Sequence, residues 1–164
     1  MSNLHRIAEQ AVSGAISRSL TVATAESLTA GMVAAVLADT PGASGMLQGG
    51  VVSYQNSVKA DVLGVPRELL DAVGSVDGDV AEAMAAGARR VCKADIGVAT
   101  TGVAGPEPHG GKAVGTVFVG VATAEGTTSF GYVFEGNRAD IRGQACAAAL
   151  ERLLEALSSG AYPA

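Results

Sequence analysis

The stretch "TVATAESLTAG", Thr21 to Gly31, changes from a strand pattern to a helix pattern within a few residues. Its first part, "TVATAES" (21–27), is β-branched and apolar and predicts a buried strand. The next part, "TAGMVAAVLADT" (29–40), predicts a helix that Pro41-Gly42 ends. A carboxylate and a hydroxyl, Glu26 and Ser27, therefore lie at the exit of a strand, where ligands gather in α/β sheets.

The rest of the chain repeats this alternation of strands and helices. The patterns predict helices at 2–19, 56–64, 66–74, 77–94 and 137–157, and strands at 49–54, 95–105, 114–123 and 127–136. The last two strands read as a hairpin around Glu125-Gly126. The order predicts one α/β domain over residues 1–164, a three-layer α/β/α fold with a mixed sheet. The tail "SSGAYPA" (158–164) is expected to fray.

Composition and charge exclude several classes of protein. The net charge of −5 and the pI of about 4.9 argue against general nucleic-acid binding, which needs a basic surface. No apolar run reaches the roughly 18 residues of a membrane span, and the polar N-terminus does not read as a signal peptide. Cys92 and Cys146 have no CxxC spacing, and His5 and His109 are the only histidines. We therefore expect a cytoplasmic protein with no disulfide, metal site or cofactor.

The segment Glu26 to Thr29 is the first candidate site. The predicted helix follows at once, so backbone N–H groups near Thr29 to Gly31 could hold an anion or an oxyanion. The alternative is that Ser27 or Thr29 is only the N-cap of that helix, and this segment alone favours the cap.

The segment "GGVVSYQNSVK" (49–59) is the second candidate, with Tyr54 and Lys59 around the start of a short helix. Lys59 could act as a general base if burial lowered its pKa, as in serine hydrolases that use lysine instead of histidine. The alternative is an exposed lysine and a packed tyrosine. The Tyr-x4-Lys spacing and the absence of an N-terminal GxGxxG exclude a short-chain dehydrogenase, which has Tyr-x3-Lys.

The segment "TTGVAGPEPHGGKAVGT" (100–116) is the third candidate. It fails as a phosphate-binding P-loop, because five residues separate Gly105 from Gly111 and Ala113 follows Lys112. A Gly/Pro-rich active-site loop fits better, and a plain surface loop is the alternative. Thr101-Gly102, at the strand end, offers a hydroxyl and an open backbone to a ligand.

Two arginines of the last predicted helix, Arg138 and Arg142, lie four residues apart and therefore on one face. Either could clamp a phosphate through two parallel hydrogen bonds. The alternative is a solvated face near Asp140 and Glu135.

Five segments in this order resemble one known family. They are "TAESLTAG", "GGVVSYQNSVKADVLGV", "GSVDGDVAEAMAAGA", "TGVAGPEPHGGKAVGTV" and "GNRADIRGQA", and they occur in this order within residues 21–146. The chain resembles the CinA C-terminal domain family, in particular the stand-alone nicotinamide-nucleotide amidases of PncC type. The resemblance implies hydrolysis of the carboxamide of nicotinamide mononucleotide to nicotinic acid mononucleotide and ammonia. It also implies one domain of CinA C-terminal type that forms a homodimer or a higher homo-oligomer.

The same resemblance assigns roles to individual residues. It implies that Ser27 is the nucleophile, and Lys59 and Tyr54 match the lysine and tyrosine of its second motif. It implies that Thr101 and Arg142 contribute to the site, with Arg138 as a competitor of Arg142. Our hypothesis from these matches is that Lys59 is the base and that Tyr54 relays or donates a proton to the leaving ammonia. Arg142 and Thr101 are expected to hold the phosphate, although the reverse placement at the Thr29 helix start stays open. The expected substrate contacts also include Thr29, Gly31, Asn56 and Gly102.

The sequence departs from the family pattern at three positions and in one loop. The family usually reads AESCTGG, and here Leu28 replaces the cysteine and Ala30 the first glycine. Asp77 stands where a serine is usual, and the Gly-rich loop is shorter. Two alternative functions stay open: a non-catalytic nucleotide-binding or regulatory module, and an amidase for another small amide. For Glu26, the sequence leaves open whether it orients Lys59 or a backbone group, or is a buried structural carboxylate.

Overall fold

Five strands form one mixed sheet in the computed structural model, which describes residues 2–159. The strands are β1 (Val22–Glu26), β2 (Leu47–Val52), β3 (Ile96–Gly102), β4 (Thr116–Thr123) and β5 (Gly126–Val133). Their order across the sheet is β2-β1-β3-β4-β5. β1 runs parallel to β2 and β3, whereas β3, β4 and β5 pair in antiparallel fashion. The predicted mixed sheet and its late hairpin are confirmed.

Helices cover both faces of this sheet. They are α1 (Asn3–Ser17), α2 (Met32–Ala38), α3 (Asn56–Asp61), α4 (Arg67–Val73), α5 (Gly78–Val91) and α6 (Arg138–Leu157). The apolar faces of α1, α2 and α6 pack on one side, in a core that includes Val12, Leu37 and Leu150. α5 packs on the other side through Val80 and Met84. The predicted three-layer α/β/α architecture is therefore confirmed.

The central strand β1 brings the candidate site to one edge of the sheet. All five of its residues are buried, because β1 has a neighbouring strand on each side and helices on both faces. β1, β2 and β3 are parallel, so their carboxyl ends lie at the same edge. The residues that follow these ends include Ser27 and Ser53, and β3 itself ends at Thr101-Gly102.

The helix predicted at 29–40 is shorter in the structure, where α2 begins at Met32 and ends at Ala38. The reason is the backbone of the two residues before it. Ala30 has φ 49° and Gly31 has φ 97°, and two left-handed residues in succession cannot continue a right-handed helix. The chain therefore makes a tight turn between Ser27 and α2.

Several sequence predictions concern the whole chain. In the described part, no helix is long and apolar enough to cross a membrane. Within residues 2–159, no group of three or more His, Cys, Asp or Glu side chains could hold a metal ion. Cys92 and Cys146 are both free thiols. The fraying predicted for the tail concerns mostly residues 160–164, which lie outside the described residues. That the whole of 1–164 is one domain, and that it forms a homo-oligomer, stay predictions.

Candidate active site

A cavity of about 450 Å³ lies at the carboxyl ends of the parallel strands. It is lined by residues 27–28, 54–56 and 101–109, together with Ser75 and Arg138. Its size falls within the range of small-molecule sites, which is roughly 300–1,000 Å³. The cavity therefore brings together parts of all three segments that the sequence singles out.

Lys59 and Ser27 lie in contact beside this cavity. The Lys59 side chain is only 1% exposed, and its Nζ lies 3.1 Å from Ser27 Oγ. The same Nζ also donates to the carbonyl oxygens of Ser53, at 2.8 Å, and Tyr54, at 3.2 Å. Burial lowers the pKa of Lys59 from 10.5 to about 8, because the charged ammonium loses hydration.

The two carbonyl contacts determine what a neutral Lys59 amine would do. A neutral amine has two N–H groups and one lone pair. The carbonyl oxygens of Ser53 and Tyr54 only accept hydrogen bonds, so they take the two N–H groups. The lone pair is then left for the third neighbour, the Ser27 hydroxyl. This arrangement allows Lys59 to remove the Ser27 proton.

Tyr54 and Arg138 contact each other at the cavity wall. Arg138 donates to the Tyr54 hydroxyl at 2.7 Å and to the Gly105 carbonyl at 2.6 Å. Arg138 is the first residue of α6, and a reciprocal capping box between Asn137 and Asp140 fixes that helix end. A permanent positive charge is thereby held at the cavity wall.

Arg142, which the resemblance favours over Arg138, does not line the cavity. It donates to the Leu28 carbonyl at 2.8 Å and to the Thr29 carbonyl at 3.2 Å. Thr29 is fully buried, with its hydroxyl 2.7 Å from that of Thr100, and Gly31 is the N-cap of α2. Arg142, Thr29 and Gly31 thus hold the turn that carries Ser27, and the arginine at the cavity is Arg138.

The Glu26 side chain binds N–H groups in the first turn of α2, for which Gly31 is the N-cap residue, and this role of Glu26 was left open by the sequence. Its carboxylate accepts from Val33 N–H at 2.8 Å and from Ala34 N–H at 3.1 Å, and the residue is 1% exposed. Glu26 gives Lys59 no hydrogen bond. This carboxylate therefore occupies the Val33 and Ala34 N–H groups, and Ala30 N–H donates to the Ser27 carbonyl at 3.1 Å, so of the N–H groups near Thr29 to Gly31 that of Ala30 is not open to a ligand. The signal available in the sequence was an acidic residue, Glu26, a few positions before the helix predicted at 29–40.

The remaining predicted residues take different positions. Thr101 lines the cavity and donates its hydroxyl proton to the Ser75 carbonyl at 2.6 Å, so its lone pairs are left for a ligand. Gly102 and Asn56 also line the cavity. Sequence reasoning missed Ser53 and Ser75. The only signal for Ser53 is its position just after a strand, and the only signal for Ser75 is its position shortly before a helix.

The departures from the family pattern have local structural explanations. Asp77 is the N-cap of α5 and accepts from Asp79 N–H at 2.8 Å, a bond that a serine would also make. Leu28 is 3% exposed and belongs to a small apolar cluster with Val117 and Ile141. Ala30 is exposed, so its methyl group does not enter the cavity.

The chain matches known proteins over most of its length. Residues 4–157 match the family model of the CinA C-terminal domain. A CinA-like protein of Mycolicibacterium gilvum is 51% identical over 147 residues, which cover 85% of this chain and 34% of that protein. A CinA-like protein of Frankia casuarinae is 48% identical over 136 residues, which cover 83% of this chain and 31% of that protein. The chain thus spans about a third of the length of these curated relatives.

A solved structure has nearly the same fold. It is the competence/damage inducible protein CihA from Agrobacterium tumefaciens, which is 33% identical. The superposition covers 97% of this chain and 98% of that chain, with a TM-score of 0.92.

Proposed function

Since the chain belongs to the CinA C-terminal domain family, we propose that it hydrolyses the carboxamide of nicotinamide mononucleotide. The products are nicotinic acid mononucleotide and ammonia, a step in the recycling of pyridine nucleotides. The observation that supports this proposal most directly is the contact of 3.1 Å between the buried Lys59 amine and the Ser27 hydroxyl. An alcohol nucleophile with a lysine base is a known arrangement for acyl transfer from amides.

Lys59 and Ser27 carry the covalent steps. The neutral Lys59 amine takes the Ser27 proton while Oγ attacks the carboxamide carbon, and the carbonyl oxygen becomes an oxyanion. The intermediate collapses as its C–N bond breaks and Lys59 returns the proton to nitrogen, which leaves as ammonia. Water then gives a proton to Lys59 and attacks the acyl ester. As the bond to Oγ breaks, Lys59 gives this proton to Oγ, which restores the Ser27 hydroxyl and the neutral Lys59 amine and releases the acid.

The oxyanion needs N–H donors other than those of Val33 and Ala34 at the start of α2, which bind Glu26. Two backbone groups at the cavity fit this role. Successive N–H groups of a strand point to opposite neighbours. The Val103 N–H donates to the Thr116 carbonyl on the β4 side, so the Gly102 N–H faces the other side, towards β1 and Ser27. The Leu28 N–H follows the nucleophile directly and has no acceptor among the described residues. We assign the oxyanion to these two groups.

Arg138 and Tyr54 act on the two ends of the substrate. Arg138 has five N–H groups, and two of them are engaged with Tyr54 and Gly105, so the others are available for the phosphate. Tyr54 accepts from Arg138, which leaves its own O–H to donate a hydrogen bond to the leaving nitrogen, while the proton that this nitrogen gains comes from Lys59. Asn56 and Thr101 complete the contacts to the substrate.

The test is the formation of ammonia and nicotinic acid mononucleotide from nicotinamide mononucleotide. The intact protein should release both products in equal amounts, and Ser27→Ala should release neither while still binding the substrate. Thr128→Ala, which changes an exposed hydroxyl of β5 far from Ser27, is the matched control and should keep full turnover.

The two alternative functions give different results in the same assay. Binding of the nucleotide by the intact protein without ammonia release would replace the amidase with a nucleotide-binding module. Turnover of other small amides, with none of nicotinamide mononucleotide, would keep the chemistry and change the substrate.

A further inference from the structure

Ser53 has a buried hydroxyl without a partner directly beside the Ser27–Lys59 pair. Among the described residues, the buried side-chain oxygens without a hydrogen bond are Ser53 Oγ and Thr24 Oγ1. A buried hydroxyl without a partner costs free energy and therefore needs an explanation. For Thr24 the explanation is packing, since its Oγ1 lies against the backbone of Gly50. A Cβ atom added to Gly50 would lie only 2.4 Å from this oxygen.

The sheet register places Ser53 next to Ser27. Ala25 pairs with Val51 and Glu26 pairs with Val52, so the next pair in this parallel register is Ser27 with Ser53. Ser53 N–H donates to the Glu26 carbonyl at 2.9 Å, which extends the ladder by this step. Neighbouring residues in register project from the same face, so both hydroxyls lie on the face that holds Lys59.

The chemistry at Lys59 creates a need for one more acceptor during the reaction. In the resting protein, three oxygens surround Nζ, which is enough for the three N–H groups of an ammonium. In each tetrahedral intermediate Lys59 is an ammonium, while Ser27 Oγ is bonded to the substrate carbon and accepts hydrogen bonds only weakly. The third N–H of the ammonium then lacks the partner that it has in the resting protein.

We propose that Ser53 is a positioning residue whose hydroxyl accepts this third N–H of the Lys59 ammonium when Ser27 Oγ is not available. Ser53 already contacts Nζ through its carbonyl, at 2.8 Å, so small rotations of the two side-chain ends bring its hydroxyl to the ammonium. The inference rests on the proposed amidase function for its catalytic consequence, whereas the contact itself can be tested without turnover.

Among the described residues, no charged side chain forms a hydrogen bond or an ion pair with Lys59. The ionisable groups on the surrounding elements have other partners: Glu26 binds the first turn of α2, the Tyr54 phenol binds Arg138, Asp61 pairs with Arg67 and Asp77 caps α5. Burial is the cause of the lowered Lys59 pKa, without a contribution from a neighbouring charge. The protonation of Lys59 should therefore respond to the neutral acceptors around it.

The experiment is a double-mutant cycle that measures the pKa of Lys59 by the NMR titration of ¹³Cε-labelled lysine. The chain has three lysines, Lys59, Lys93 and Lys112, so the signals can be assigned by single replacements. In the Ser27→Ala background, which removes the third acceptor, we expect Ser53→Ala to lower the pKa by about one unit. In the presence of Ser27, the same change should have a much smaller effect.

Two further variants complete the test. Ser53→Thr keeps the hydroxyl and should leave the titration of the Ser27→Ala protein unchanged. Thr24→Val removes the other unpartnered hydroxyl and should also leave it unchanged. An equal Lys59 pKa with and without the Ser53 hydroxyl in the Ser27→Ala background would overturn the proposal.

The kinetic consequence separates this proposal from the amidase itself. Ser53→Ala should lower kcat for nicotinamide mononucleotide about tenfold and leave KM unchanged, while Thr24→Val keeps both. Absence of turnover in the intact protein would contradict the amidase, and the NMR cycle would still decide the role of Ser53. Full kcat in Ser53→Ala would contradict the catalytic consequence.

Discussion

Arg138 donates a hydrogen bond of 2.7 Å to the hydroxyl of Tyr54, which joins the start of α6 to the segment between β2 and α3. The two residues are 84 positions apart in the sequence. The contact brings a cation and a phenol together at the wall of the cavity that Ser27 also lines. It also distinguishes Arg138 from Arg142, whose guanidinium binds the Leu28 and Thr29 carbonyls instead.

Replacement of Arg138 should weaken the binding of a phosphate-bearing substrate. We expect Arg138→Ala to raise KM for nicotinamide mononucleotide by about 10- to 100-fold, the effect of one charged hydrogen-bonding contact. Nicotinamide riboside, the same amide without the phosphate, should have the same KM with the intact protein and with Arg138→Ala. Arg142→Ala is the contrasting variant, and it should lower kcat and stability with little change in KM. Equal KM values of the intact protein and Arg138→Ala would mean that Arg138 does not bind the phosphate of the substrate.

The rate should increase with pH as Lys59 loses its proton. The base must be neutral in the free protein, so kcat/KM should rise with pH and reach half its maximum near pH 8, the pKa to which burial lowers Lys59. Lys59→Arg should have no measurable turnover at any pH of this profile, because arginine stays protonated. A profile that falls between pH 7 and pH 9 would mean that Lys59 acts as an acid from its charged form.

The same lowered pKa predicts how stability depends on pH. In the unfolded chain Lys59 has its ordinary pKa of 10.5, so between about pH 8 and 10.5 the unfolded state binds more protons than the folded state. The free energy of unfolding should therefore rise with pH in this window relative to that of Lys59→Met, which cannot titrate there. Urea unfolding of both proteins at pH 7.5, 9 and 10 measures this difference. A constant difference across the three pH values would contradict it.

Most of the fold could be predicted from the sequence because its signals are local. The strand patterns of β1, β2 and β3 and the Glu125-Gly126 turn depend on residues within a short window. The start of α2 could not be predicted, because Ala30 has a left-handed backbone that alanine adopts only when tertiary contacts impose it. Those contacts join Arg142 to the carbonyls of the turn, which lie more than a hundred positions earlier in the sequence.

The site was predictable in its chemistry and less so in its geometry. Ser27, Lys59 and Tyr54 stand out as residue types at the exits of strands. The choice between Arg138 and Arg142 depends on the rotation of α6 about its axis, which is fixed by the packing of Ile141 and Ala145 against Leu28. The burial of Lys59 was not readable either, since α3 is too short to show a helical pattern.

Loss of the Glu26 carboxylate should destabilise the protein. We expect Glu26→Gln to lower the free energy of unfolding by about 1–3 kcal/mol, because one end of the amide would place a donor against a helix N–H. Urea unfolding measures the change. Glu151→Gln on the exposed face of α6 is the matched control, expected to stay within about 0.5 kcal/mol of the intact protein. Equal stability of both variants would mean that the Glu26 carboxylate does not hold α2.

Ala30 is the position at which a departure from the family pattern should affect stability. Its backbone is left-handed, with φ 49°, and this conformation costs an alanine about 1–2 kcal/mol that glycine avoids. Glycine also gains entropy in the unfolded chain, which opposes part of this benefit. We therefore expect Ala30→Gly to raise the free energy of unfolding by up to about 1 kcal/mol.

Ala35, exposed in the middle of α2, provides the matched control for this change. The same replacement there, Ala35→Gly, should lower the free energy of unfolding by about 1 kcal/mol, because that position is helical. Urea unfolding compares the two variants directly. If Ala30→Gly were destabilising to the same extent as Ala35→Gly, Ala30 would not have the left-handed backbone, and α2 would begin earlier, as its sequence alone predicts.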